Sequence, residues 1–234
     1  MRTFPPVSLL GAPTDIGAGH RGAVMGPEAL RIAGLAEALI ERGVDVVDRG
    51  NVDGPRNPWL GPVEGYRHLD EVVAWNRAVM DAVHTELHEG RLPILLGGDH
   101  CLGIGSITAV AHYCRETGKT LRVLWLDAHA DYNTPATTIT GNMHGMSAAF
   151  LCGEPGLDRL LGDQPRVSVS PDRLDLFGTR SIDPLERDLV RDRRIAAAGM
   201  RALDEFGLRG LSRRGTARVR AQSGGGAGSA PRRQ

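Results

Sequence analysis

Val123-Leu124-Trp125-Leu126-Asp127-Ala128-His129-Ala130-Asp131 joins an apolar run of strand length to two carboxylates and an imidazole at alternate positions. In extended backbone, residues i, i+2 and i+4 share a face, so Asp127, His129 and Asp131 are expected to point the same way as the chain leaves the strand. A second stretch follows the same plan, with Pro93-Ile94-Leu95-Leu96 running into Gly97-Gly98-Asp99-His100, a turn that glycines adopt at least cost. Further strands are expected at Val7 to Leu10, Val44 to Val47 and Leu174 to Phe177. Segments of helical period lie between them. One opens at Gly26-Pro27-Glu28 and stops at Gly43, a second covers 64–89, and a third runs from Leu102 to Cys114. Short apolar runs alternating with amphipathic helices predict an α/β fold, with βαβ units around a parallel sheet. Ligand sites of such sheets form just beyond the carboxyl ends of the strands, where both motifs fall.

The chain has 234 residues, 41% of them hydrophobic, enough for a sizeable core. Lys and Arg balance Asp and Glu at 28 each, which argues against nucleic acid or an acidic membrane surface as the main partner and leaves small molecules. Cys101, Cys114 and Cys152 are odd in number and lack a CxxC spacing, so neither a disulfide framework nor a zinc ribbon is supported and a reducing cytoplasm is expected. The amino terminus carries no usable signal-peptide core. No stretch approaches the roughly 20 apolar residues of a membrane span, and a soluble, unexported protein is expected.

Two carboxylates and an imidazole without a thiolate suit a hard-to-borderline cation such as manganese better than structural zinc. In their company His100 becomes a fourth candidate ligand, while Asp99 suits the N-cap of the following helix or a supporting contact to a ligand. The segment Thr138-Ile139-Thr140-Gly141-Asn142-Met143-His144-Gly145-Met146 gathers hydroxyl, amide and imidazole groups and reads as a substrate-reading loop. His144 suits a proton shuttle, because imidazole titrates near neutral pH. His84 and His88 have the i, i+4 spacing that can bind metal, but their own helix offers no third ligand nearby, so they read as surface residues. His20, His68 and His112 lack such context.

The order and spacing of Gly97-Gly98-Asp99-His100, Asp127-Ala128-His129-Ala130-Asp131-Tyr132-Asn133-Thr134-Pro135 and Gly141-Asn142-Met143-His144-Gly145 resemble the ureohydrolases, the family of arginases, agmatinases and formiminoglutamases. The similarity extends from Gly11-Ala12-Pro13 to Gly178-Thr179-Arg180-Ser181-Ile182-Asp183-Pro184. It implies a three-layer α/β/α domain with a mainly parallel sheet over residues 1–205, binding two manganese ions per subunit and assembling as a homotrimer or hexamer. The implied reaction is hydrolysis of the guanidinium group of L-arginine to L-ornithine and urea. By resemblance His100 and Asp131 hold one metal, His129 holds the other, and Asp127 bridges them. His144 is the implied proton shuttle, and Asn133, Thr140, Asn142 and Asp183 are the implied substrate contacts. Asn133 and the Gly-Asn-x-His-Gly loop are arginase features, which favours arginine over agmatine or guanidinobutyrate.

One part of the family pattern is not met. A second Asp-x-Asp motif and a later glutamate that grips the guanidinium are expected well beyond Asp183, whereas Asp204-Glu205 is adjacent rather than alternating and falls too early. Residues 209–234 carry arginines and a Gly-Gly-Gly-Ala-Gly-Ser run with no acid, a composition expected to be disordered. They read as a basic binding tail, a solvated tail, or the product of a truncation or shifted reading frame. Arg, Gly, Ala and Pro are what a shifted GC-rich frame yields, which favours the last. The domain would then lack its last strands and expose an apolar sheet edge. Its second metal would bind poorly, leaving hydrolysis impaired or the chain an arginine binder without turnover.

Overall fold

Strand β1 (Val7–Ala12) is buried along its whole length and lies between β2 (Val46–Asn51) and β3 (Leu92–Gly97), parallel to both. The register runs from Val7 opposite Leu92 to Ala12 opposite Gly97. A second parallel set has the order β4 (Val123–Leu126), β5 (Leu174–Thr179) and β6 (Ala196–Gly199), with Val123 opposite Leu174. These elements come from a computed structural model, which describes residues 4–205 and 207. The hydrogen bonding therefore divides the strands into two three-stranded parallel sheets, where the sequence predicts one. The expected tail, 209–234, lies outside the described residues.

All five predicted strands form, and β6 adds a sixth. Its Ala196-Ala197-Ala198-Gly199 sequence has little intrinsic strand preference; parallel pairing with β5 makes it a strand. At β4, Leu124 and Leu126 are 58% and 67% exposed, so the strand alternates buried and exposed apolar residues. Just before it, Arg122 donates to both carboxylate oxygens of buried Asp175 on β5 at 2.5 and 2.7 Å, which ties the two strands together.

The predicted helix from Gly26 to Gly43 is two helices, α1 (Gly26–Ile32) and α2 (Leu35–Ile40), because Gly34 turns into the left-handed region at φ 79°. The second predicted helix, 64–89, starts later than expected, as α3 (Leu69–His88), after left-handed turns at Glu64, Gly65 and His68. Helix α4 (Gly103–Glu116) packs along α3, with Trp75, Val79 and Val83 facing Ile104 and Ala109 in the main core. The approach depends on Gly105, whose N–H donates to Asn76 Oδ1 at 2.7 Å; a Cβ there would stand 2.2 Å from the Asn76 carbonyl oxygen. Helices α5 (Ser147–Leu151) and α6 (Pro184–Asp192) complete the set used below. Among the described residues, no helix is long and apolar enough to cross a membrane.

Candidate metal centre and substrate cleft

Strand β3 ends at Gly97, and Gly98 turns the chain at φ 62°. A Cβ on Gly98 would lie 2.1 Å from the Ala12 carbonyl oxygen, so this close passage against the end of β1 is open only to glycine. Asp99 then caps a short 3-10 turn, accepting from the Cys101 N–H at 2.9 Å, and His100 follows at the start of that turn. The N-cap reading of Asp99 thus holds.

The exit from β4 differs from the extended path expected of it. After Leu126 the chain bends, with the Asp127 N–H donating to the Phe177 carbonyl at 3.0 Å and the Ala128 carbonyl accepting from Arg180 and Ser181 N–H at 2.8 and 3.0 Å. Asp131 adopts φ 50°, and its carbonyl accepts from Ala148 and Ala149 at the start of α5. The triplet is therefore shaped by a turn clamped to the exit of β5, and not by strand alternation.

That turn sorts the donors into two groups. His100 Nδ1 lies 3.1 Å from Asp127 Oδ2 and 3.2 Å from Asp131 Oδ2. His129 Nδ1 lies 3.3 Å from the other oxygen of Asp127, Oδ1. Asp127 thus stands between two imidazoles with one oxygen toward each. The compact triad is His100, Asp127 and Asp131; His129 sits to its side and is the more exposed imidazole.

Supporting contacts orient the triad. The His100 ring stacks on Trp125, centroids 4.8 Å apart and planes 10° apart, and the indole N–H donates to Asp131 Oδ2 at 3.1 Å. Burial, followed by the charge of Asp127, pushes the Asp131 carboxyl up to about 7, while burial pushes the His100 imidazole down. Two close carboxylates, one hard to ionise alone, and an imidazole held neutral are a donor set that a divalent cation stabilises. The residues present fit such an ion.

His144, at the start of the 3-10 turn before α5, has Nδ1 3.5 Å from Oδ2 of the buried Asp99. Burial alone would lower its pKa, but the Asp99 carboxylate, with the charges of Asp131 and Asp127, outweighs that and raises it, and the same contact helps hold the Asp99 carboxyl low against its own burial. His144 lines a cleft of about 230 Å³ together with His129, Asp131, Asn133, Thr140, Asn142 and Asp183, so all four predicted substrate contacts meet there. Asn133 Nδ2 donates to Asp183 Oδ2 at 3.3 Å, and its Oδ1 accepts from Thr137 at 2.9 Å. Arg67 holds the opposite wall by donating to Asn142 Oδ1 at 2.9 Å.

Three contributors escaped the sequence reading. In the sequence Trp125 reads only as a strand residue. Arg67 lies far along the chain from the loop it braces. Glu186 lines the cleft, accepting from the Tyr132 and Asp183 N–H groups at 2.8 and 3.1 Å. The signal for Glu186 was present, since Asp183-Pro184-Leu185-Glu186 has the spacing of a capping box.

The pattern of the Arginase family matches residues 5–225. An arginase of Brucella melitensis biotype 1 is 38% identical over 219 residues, covering 92% of this chain and 70% of the Brucella protein. Among solved structures, the arginase of Bacillus caldovelox superposes with a TM-score of 0.83 at 32% identity, covering 94% of this chain and 73% of that one. The arginase of Entamoeba histolytica in complex with L-ornithine gives a TM-score of 0.82 at 28% identity, covering 92% and 72%.

Proposed function

The chain belongs to the arginase family, and from that premise we propose that it hydrolyses the guanidinium group of L-arginine to L-ornithine and urea with the help of manganese. The observation that carries this reading is the split of Asp127 between His100 and His129, one oxygen toward each. His100, Asp127 and Asp131 would hold one ion and Asp127 with His129 a second. When bound, the ions supply an activated water at neutral pH and polarise the guanidinium.

The remaining steps fall to the chain's own groups. Asn133, Thr140, Asn142 and Asp183 bind and orient the amino-acid end of the substrate, the Asp183 carboxylate toward its ammonium and the amide of Asn142 toward its carboxylate. His144, kept more basic by Asp99, carries a proton to the departing amine, from which urea separates. Glu186 fixes the Tyr132 and Asp183 backbone and so steadies both walls of the cleft.

Among the described residues, Asp127 is the one carboxylate within ion-pair distance of His129. The second position thus has two donors where the first has three, which supports weaker binding of the second ion and impaired turnover. Cytoplasmic placement and a homo-oligomeric state carry over as further parts of this reading, on cysteine usage and family resemblance.

Urea release from L-arginine, agmatine and guanidinobutyrate by the purified full chain, with and without added manganese, tests the proposal. Slow, manganese-dependent release from L-arginine is expected, with one ion retained firmly per chain. Release only from agmatine or guanidinobutyrate would overturn the substrate, binding of arginine without any turnover would overturn the catalytic reading, and two firmly held ions with fast turnover would overturn the impairment.

A further inference from the structure

Helices α3 and α4 end side by side. His84 and His88 lie one turn apart near the end of α3, and Glu116 is the last residue of α4. Glu116 Oε2 is 3.2 Å from His84 Nε2 and 3.0 Å from His88 Nε2, and the two imidazole nitrogens are 3.2 Å apart. The third ligand absent from the sequence of α3 is therefore supplied by the neighbouring helix. We propose that His84, His88 and Glu116 form a second metal site, independent of the catalytic one, that takes a borderline transition cation of the zinc class.

The geometry suits such an ion. Zinc binds nitrogen and oxygen ligands at about 2.0–2.2 Å, so an ion at about 2.05 Å from all three atoms stands about 1 Å above their plane. The three separations then match one face of a coordination tetrahedron, with the remaining position open to water. Edge contact between the His88 and Tyr113 rings, at 5.4 Å between centroids, holds one ligand in orientation. Both helices present the negative ends of their dipoles here, which favours a cation.

The site is distinct in place and chemistry from the first. Helix α4 starts three residues after His100 and ends at Glu116, so its length of about 20 Å separates the two clusters. Two imidazoles and one carboxylate favour zinc, nickel or copper over manganese, whereas the oxygen-rich triad at the strand ends does not discriminate so strongly against manganese. His84 and His88 are both partly exposed, so an ion has direct access from solvent.

Two measurements on the full chain test this. In the wild-type protein, zinc ions should protect His84 and His88 from modification by diethyl pyrocarbonate, read by peptide mass spectrometry, while manganese at the same concentration should not. By calorimetry, wild type should bind one more zinc ion than His84→Ala/His88→Ala, and Glu116→Gln should bind that ion at least tenfold more weakly. Equal modification with and without zinc, or equal zinc stoichiometry in wild type and the double variant, would overturn the proposal. Equal protection by manganese would overturn the assigned class of ion. The labelling arm uses the wild-type chain, so it decides the matter even where a variant fails to fold.

Discussion

The two donor clusters are near mirror images in composition. At the strand ends, two carboxylates and one imidazole gather around Asp127, with Asp131 buried and His100 stacked on Trp125. At the far end of α4, two imidazoles and one carboxylate meet on an exposed surface. The first cluster is built by turns tied to neighbouring elements through the Asp127 N–H and the Ala128 and Asp131 carbonyls. The second is built by two helix ends that happen to run in the same direction. Convergence of donors is thus common to both, while burial, orienting contacts and an adjoining cleft distinguish the site fitted for chemistry from one fitted only for binding.

Four changes separate the clusters experimentally. Asp127→Ala removes the group shared by His100 and His129, so manganese content and urea release should both collapse, the rate by more than about 10³-fold, beyond the roughly 10–100-fold cost of losing an outer partner of a ligand; retained metal and rate would remove Asp127 from the centre. His144→Ala should cost about 10²–10⁴-fold in kcat with manganese content unchanged, the signature of a lost proton carrier in an intact metal centre. Trp125→Phe keeps a ring under His100 but deletes the N–H donated to Asp131, and a titration should register about 10–100-fold weaker manganese binding. Finally, His84→Ala/His88→Ala should leave urea release within about twofold of wild type, because exposed substitutions away from the cleft act locally. A large loss there would couple the two clusters.

Much of this was legible in the residues. The five predicted strands announced themselves as short apolar runs of strand length, His100, Asp127, His129 and Asp131 stood out by residue type and position after two of them, and His144 by the polar loop that carries it. Strand β6 did not, because Ala196 to Gly199 owes its conformation to its neighbour. Helix α6 gave no periodic signal, because Glu186 and Val190 are its buried residues and its apolar stripe is thin, and its capping box at Asp183 to Glu186 marks its start alone. The break between α1 and α2 was masked by apolar spacing that continues across Gly34, whose left-handed turn is a backbone property with no side chain to advertise it.

The sequence by itself determined the parallel α/β plan and the arginase-family motifs, since these follow from local apolar pattern and from the order and spacing of the motif residues. Only the tertiary structure decided that Asp127 divides its oxygens between two imidazoles, that Asp99 braces His144, and that Glu116 completes a trio with His84 and His88. In each case the deciding partner (His100 for Asp127, Asp99 for His144, Glu116 for His84 and His88) lies far along the chain at a spacing with no periodic signal, and comes within ligand distance only once turns and packed helices are in place.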